Sequence, residues 1–408
     1  MKTLYLHIGT PKTGTTSLQN FCYSNREIFE KFGYCYPILP FKYFGKRLDR
    51  NALFLNGVVY NEKGKRDLEE EERRMQAGFD MVREAFERFD NVFLSDEAVW
   101  MTGFRRKSDV WKRLREESEK GGYTVKIVVY LRRQDEFVES WWNQRVKIDI
   151  IKYNTMKWEE FLAEAAEDSM PDYYSCLSII AGELGKENII VRRFARSEFE
   201  EGSIQHDFMN VIGLGWSEEF VLPEEKENLN ARLKGNAIEV KRVINTIPEL
   251  GWADNHFFRS VALMDTKVAG EQYPSTMFSE EEARAYVQRF EESNRKVVEE
   301  YIKDGRPLFS DKYSDLPKWE PDNPYLYEDV IRFMAISDRK LLNRVTALEN
   351  GNRKKAKEIR ELRGQITELK KQIQKLEAKT DKLDEQHKQL KEKLKHPFKT
   401  VARKVTKQ

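Results

Sequence analysis

One short stretch, GTPKTGTTS at residues 9–17, concentrates groups that hold an anion. An apolar run, TLYLHI at 3–8, enters it, and a helical pattern with Leu18, Phe21, Cys22, Ile28 and Phe29 leaves it. A helix that begins after a glycine-rich turn aims unpaired N–H groups and the positive end of its dipole at whatever lies before it. Lys12 puts a full charge in the loop, and Thr15, Thr16 and Ser17 offer hydroxyls in the first turn. Such a site holds a phosphate or a sulfate. It is not the nucleoside-triphosphate loop GxxxxGK followed by Ser or Thr. Gly9 and Gly14 keep that spacing, but Thr15 stands where the lysine belongs, and Lys12 lies two residues before Gly14.

The elements that must position this loop alternate along the chain. Residues 68–89 are acidic and then amphipathic and read as a helix; NVFLSDE at 91–97 reads as a strand. A basic helix near 106–119 ends at Gly121-Gly122, before YTVKIVVYLRR at 123–133, the most strand-like run in the chain. Residues 135–148 read as a helix, about 157–184 as a helix pair, and 188–196 as one more strand. This alternation predicts an α/β domain with a P-loop-like, mainly parallel sheet flanked by helices. From residue 203 the pattern is mostly helical, at 203–215, 231–247 and 279–302, the last opened by a capping box of Ser279 and Glu282. The Pro-, Asp- and aromatic-rich segment 309–325 marks the end of the globular part. The division expected is a domain at 1–310, a linker at 311–337, a coiled coil at 338–395 and a basic tail at 396–408.

The coiled coil is read from a heptad seam. Ile359, Ile366 and Ile373 alternate with Leu362, Leu369, Leu376, Leu383 and Leu390, with Thr380 and His387 interrupting. Leu341, Val345 and Leu348 continue the phase upstream of a polar break at Asn352 and Lys355. Ile at one seam position and Leu at the other favours a parallel dimer, so a homo-oligomer is expected. The tail carries Lys391, Lys393, Lys395, Lys399, Arg403, Lys404 and Lys407 against Glu392, with Phe398, Val401, Ala402 and Val405 as a small apolar face. It is read either as a solvated tail or as a contact to anionic lipid.

Composition bounds the rest. In 408 residues, 40% are hydrophobic and 34% charged, enough for a core plus a long solvated helix. The net charge of +2 argues against a nucleic-acid partner. Cys22, Cys35 and Cys176 are scattered and read as ordinary thiols, not a disulfide framework or zinc site. With no signal-peptide pattern and no apolar run of spanning length, the expected place is the cytoplasm, with peripheral contact at the inner membrane face through the tail.

The loop GTPKTGTTSLQ resembles the 5′-phosphosulfate loop of sulfotransferases that use 3′-phosphoadenosine 5′-phosphosulfate (PAPS). A second family motif places an arginine at a strand end and a serine eight residues on; Arg132 and Ser140 match it in VVYLRRQDEFVESWWNQ. The runs HIGTPKTGTTSLQNF, NVFLSDEAVW and HDFMNVIGL look most like bacterial sulfotransferases of cell-surface saccharides, over roughly residues 1–305. The resemblance implies that Lys12 stabilises the departing phosphate oxygen. It implies that Pro11, Lys12, Thr13, Gly14, Thr15, Thr16 and Ser17 form the cradle, and that Arg132 and Ser140 grip the 3′-phosphate. The usual Arg-Asn-Pro is replaced by Arg132-Arg133-Gln134, which makes Arg133 a candidate to share the job. No metal is required, because Lys and Arg supply the charge, and the acceptor implied is a saccharide or glycolipid hydroxyl.

Sulfuryl transfer needs a group to take the hydroxyl proton. Glu97 is the first choice, because it ends the strand 91–97 and strand carboxyl ends face the ligand crevice. Asp96 points elsewhere if the strand continues. His7 reads as a packed histidine. Related enzymes carry a His-Asn pair where this chain has Arg50-Asn51, which leaves Asn51 as a candidate to touch substrate. Asn228, Asn230, Arg232 and Lys234 are candidates for a flap over the nucleotide. Trp141 and Trp142 are expected in the core, with one a candidate for the saccharide groove. The alternatives are a P-loop kinase or NTPase, with VFLSDE mimicking a magnesium-binding strand, and a non-catalytic coiled-coil scaffold.

Overall fold

The alternating apolar runs become five parallel strands in the order β2-β3-β1-β4-β5 in a computed structural model of the chain. The structure describes residues 1–43, 49–105, 109–148, 154–166, 172–222, 232–233, 235–269 and 273–395. β1 (Thr3–His7) lies between β3 (Asn91–Ser95) and β4 (Thr124–Leu131); Thr3 pairs with Asn91 on one side and Thr124 on the other. β5 (Ile189–Arg193) pairs with β4, and the short β2 (Tyr34–Cys35) extends the other edge. The α/β class with a parallel sheet expected from the alternation is the class observed.

Side chains alternate across a strand, and β1 buries both sets. Leu4, Leu6 and Ile8 pack with Val92, Leu94, Ile127 and Val129 on one face. Tyr5 packs with Phe93, Val128 and Tyr130 on the other. The first layer is covered by α3 (Leu68–Arg88), α5 (Val110–Gly121) and α8 (Tyr173–Leu184), which supply Phe79, Val82, Leu114 and Leu177. The second is covered by α1 (Thr15–Ser24), α2 (Arg26–Lys31) and α9 (Ile204–Val211), which supply Leu18, Phe21, Phe29, Phe208 and Met209. From β1 the chain moves to the β2 side, whereas β4 and β5 lie on the opposite side. The carboxyl ends of β1 and β4 therefore border the crevice where the winding reverses.

The remaining helices are α4 (Ala98–Arg105), α6 (Gln134–Ile148), α7 (Trp158–Ala166), α10 (Asn236–Ile244), α11 (Trp252–Ala269), α12 (Glu280–Gln288), α13 (Glu291–Val297) and α14 (Leu326–Lys395). The single helix expected at 279–302 is three pieces. Its capping box forms between Ser279 and Glu282, but the ladder breaks at Arg289-Phe290 and widens to a π-turn over Val298–Ile302.

The chain divides into two compact units, Met1–Met334 and Ala335–Gln408. The segment read as a linker from 311 is anchored on the first unit. Trp319 Nε1 donates to Asn236 Oδ1 at 2.9 Å, Asn323 Nδ2 donates to the same oxygen at 2.8 Å, and Thr276 N donates to Pro317 O at 3.0 Å. α14 has begun by Leu326, inside that segment. From Leu341 to Lys395 every residue is exposed, the isoleucines and leucines of the heptad seam included. The basic-tail reading at 396–408 lies outside the described residues. No helix among the described residues is long and apolar enough to cross a membrane.

Candidate functional site

The loop after β1 folds back on itself. Gly9, Lys12 and Gly14 take positive φ values of 51°, 72° and 69°. A Cβ on Gly9 would come within 2.6 Å of Thr15 Cγ2, so only glycine fits there. Lys12 is a non-glycine residue in the left-handed region, which costs about 1 kcal/mol and is the kind of strain that collects at functional sites. Successive turns of this sort form an anion-binding concavity. The loop is pinned to β4: Thr10 donates to Tyr130 O through its N–H at 3.3 Å and its hydroxyl at 3.0 Å. Gly14 then caps α1 by accepting from the N–H groups of Ser17 (3.0 Å) and Leu18 (3.1 Å). Thr15 and Thr16 stand in the first turn, where a helix ladder supplies no acceptor for their N–H groups.

The cradle residues differ in what they can offer. Thr13 is fully buried and its hydroxyl donates to Thr10 O at 2.5 Å, so its side chain braces the loop. Pro11 and Thr15 are buried, whereas Gly14 and Thr16 are half-buried and Ser17 is exposed, accepting from Gln205 Nε2 at 2.8 Å.

Arg132 and Ser140 fall on the same crevice. Arg132 follows β4, and its Nη1 donates to Lys12 O at 3.3 Å while its Nε donates to Glu136 Oε2 at 2.9 Å. Lys12 Nζ donates to Gln144 Oε1 at 3.0 Å. Glu136, Ser140 and Gln144 are spaced by four on α6 and so share one face. Ser140 therefore sits between the residue that meets Arg132 and the residue that meets Lys12. Lys147 reaches the Lys12 amine from the same helix. The Lys12 pKa is lowered, by burial first and then by Arg132.

Arg133, a candidate to share phosphate binding, is turned away. Its guanidinium grips both oxygens of Asp135, at 2.7 and 2.9 Å, and donates to the carbonyls of Ser310 (3.2 Å) and Lys312 (2.6 Å). Of the flap candidates, Asn228, Asn230 and Lys234 lie outside the described residues. Arg232 pairs with Glu139, which also accepts from Met277 N at 3.0 Å.

The acidic side of the loop is a connected network. Glu97 Oε2 accepts from Gln19 Nε2 at 3.0 Å, and its other oxygen lies 3.9 Å from Arg50 Nη2. The Glu97 side chain also borders Gly9: a Cβ built there would stand 3.6 Å from Glu97 Cβ. Burial pushes the Glu97 pKa up, but Arg50, its own backbone N–H, Gln19 and His7 outweigh this and leave it below the ordinary value. Glu97 is thus a carboxylate ready to accept a proton. Asp96 points elsewhere: both oxygens hold Arg50, at 2.6 and 3.0 Å, and one accepts from Ala98 N at the start of α4.

His7 is fully buried, with its Nδ1 2.8 Å from Ser95 Oγ and its Nε2 without a hydrogen-bond partner. Burial lowers its pKa to about 4, so it stays neutral, as a packed histidine does. Asn51 is spent on the fold. It donates to the carbonyls of Pro37 (3.0 Å) and Phe93 (3.3 Å) and accepts from Ser95 N at 2.8 Å, which leaves it nothing for substrate. Trp142 is buried and donates to Met156 O at 3.1 Å. Trp141 is half-buried, stacked on Phe137 with Arg145 4.5 Å above its ring.

Gln19, Arg50, Gln144 and Lys147 were not singled out from sequence. Gln144 and Lys147 had a signal: they lie four and seven residues beyond Ser140 on a helix that was expected. Gln19 and Arg50 reach Glu97 only through the packing of separate elements.

No family model matches the chain. An uncharacterized protein of Archaeoglobus fulgidus is 32% identical over 178 residues, which span 43% of this chain and 46% of that protein. The chain thus covers less than half the length of that relative. A crystal structure of a sulfotransferase from Alicyclobacillus acidocaldarius aligns over 66% of this chain and 96% of its own, at 14% identity and a TM-score of 0.31, too low to bear on fold or function.

Proposed function

We propose that the chain is a PAPS-dependent sulfotransferase that acts on a hydroxyl of a saccharide, as part of a cell-surface polysaccharide or glycolipid. The observation that carries this reading is the convergence of Lys12, Arg132 and Ser140 at the crevice between β1 and β4. Lys12 and Arg132 are joined there through the loop carbonyl, and Ser140 lies on the helix face between their partners. Two separated cation positions suit a donor with phosphate at both ends.

In the reaction, the acceptor oxygen forms a bond to sulfur as the bond between sulfur and the bridging phosphate oxygen breaks. The acceptor proton passes to Glu97. The electron pair stays on the phosphate of the departing 3′-phosphoadenosine 5′-phosphate (PAP), beside the Lys12 ammonium. α14 is read as the dimerising part, because its apolar seam repeats every three and four residues and is exposed along its length. The basic tail is read as a contact to the inner membrane face.

Titrating the full chain with PAP and separately with ATP–Mg²⁺ tests the reading. Micromolar PAP binding with weak ATP–Mg²⁺ binding is expected; tight ATP–Mg²⁺ binding without PAP binding overturns it in favour of a kinase or NTPase.

A further inference from the structure

Lys147 is 2% exposed and its amine is hydrogen-bonded to that of Lys12. Two ammonium groups cannot share a hydrogen bond, so one of the pair is a neutral amine. The charged groups around the pair come from every side. Arg132 lies at the end of β4, Arg232 before α10 and Arg259 on α11, and Lys241 on α10 holds the carbonyl of Val146, the residue beside Lys147. The acids of the region are engaged: Glu136 with Arg132, Glu139 with Arg232, and Glu97 with Gln19 and Arg50. The leading charges acting on Lys147 itself, Lys12, Arg259 and Arg232, are all positive.

We propose that Lys147 is a second phosphate-binding amine of the site, paired with Lys12, and that it takes up a proton when a phosphate or phosphosulfate group enters. This rests on the reading of the loop as the phosphosulfate site. An entering dianion supplies the negative charge that the cluster lacks and makes two adjacent ammonium groups tolerable. Burial, then Lys12 and the arginines, lower the Lys147 pKa to about 6 in the free protein. Between that value and the higher one of the liganded state, the liganded protein holds one more proton. Affinity contributed by Lys147 is therefore full below about pH 6 and falls as pH rises through this window. The two lysines then divide the work. Lys12 is the charge already present, and Lys147 adds its charge only when the donor is in place.

Calorimetry on the full chain at pH 7.5, in buffers of different ionisation enthalpy, reads the proton directly, with PAP and inorganic pyrophosphate as probes. Lys147→Arg is charged at every accessible pH, so it should bind PAP within a few-fold of wild type while wild type takes up about one more proton per site. Lys147→Met should bind PAP roughly tenfold more weakly. Carbon NMR of labelled lysine in the unmutated protein gives a second reading: one side-chain resonance should titrate near pH 6 and cease to do so with PAP bound. Equal proton uptake in wild type and Lys147→Arg, or no lysine titrating below pH 8, overturns the proposal while PAP binding leaves the donor reading standing. Pyrophosphate binding with proton uptake, in a protein that ignores PAP, does the reverse. A protein that binds neither probe overturns both.

Discussion

Arg132 and Arg133 are neighbours in sequence and opposites in circumstance. Arg133 is 8% exposed, and its donors are met by Asp135 and two carbonyls of the 310–312 segment, with the Tyr313 ring 4.0 Å away. Arg50 with Asp96, and Arg192 with Asp207, are closed pairs of the same kind. Arg132 instead opens onto a crevice where Lys12, Lys147 and Arg232 gather more positive charge than the acids beside them balance. A closed pair is what a fold can bury without further help. A collection of cations is unfavourable in the free protein and becomes favourable only when an anion arrives, the usual trade between stability and function. The contrast separates residues that hold the molecule together from residues that wait for a ligand.

The largest effect expected on the open side is on turnover. Lys12→Ala removes the charge next to the departing phosphate oxygen, and turnover with PAPS should fall by about 10³-fold, near 4 kcal/mol of transition-state stabilisation. The same change relieves the left-handed lysine only partly and removes repulsion with Arg132 and Lys147, so the melting temperature should not drop. A variant that keeps more than a tenth of wild-type turnover would mean that another cation does this job, and Lys147 would be the first to examine.

Next in size is the effect on the closed side. Arg133→Ala leaves Asp135 buried without its partner and frees the carbonyls of Ser310 and Lys312. Loss of about 3 kcal/mol of stability is expected, measured by urea unfolding. Arg132→Ala is the paired experiment. Its partner Glu136 is partly exposed, so unfolding should shift by less than about 1 kcal/mol. PAP affinity should fall by roughly 30-fold. If the two variants cost the same stability, the distinction between them fails.

Sequence made one side of this contrast far more legible than the other. The phosphate loop is continuous in the chain, and its glycines, lysine and hydroxyls declare themselves by spacing alone. β1, β3, β4 and β5 were legible because buried parallel strands are unbroken apolar runs. Arg132 and Ser140 were read through a motif, but Arg133 was misassigned, because nothing local says that Ser310 and Lys312 come back to meet it. Asn51 was misread for the same reason: its partners Pro37, Phe93 and Ser95 come from three separate segments. The break at Arg289-Phe290 carries no Gly or Pro to announce it. β2 is only two residues long, which no periodicity can show.

The smallest effect expected on the catalytic unit concerns a third kind of incompleteness. α14 leaves apolar rather than charged groups unmet. Ile359, Leu362, Ile366 and Leu369 are each half exposed or more, on a helix of 70 residues that spans about 105 Å at the usual rise. A lone helix of this length gains little from propensity and much from a partner along its seam, and the matching heptads of a second copy would bury it. The first compact unit closes at Met334 and draws its core from the sheet and its covering helices. Removing 338–408 should therefore lower the mass seen by light scattering from dimer to monomer. PAP affinity and urea midpoint of the truncated chain should stay within error of the full chain. An unchanged mass would show that the seam is not where copies meet, and a lost affinity would show that the phosphate crevice borrows something from the helix.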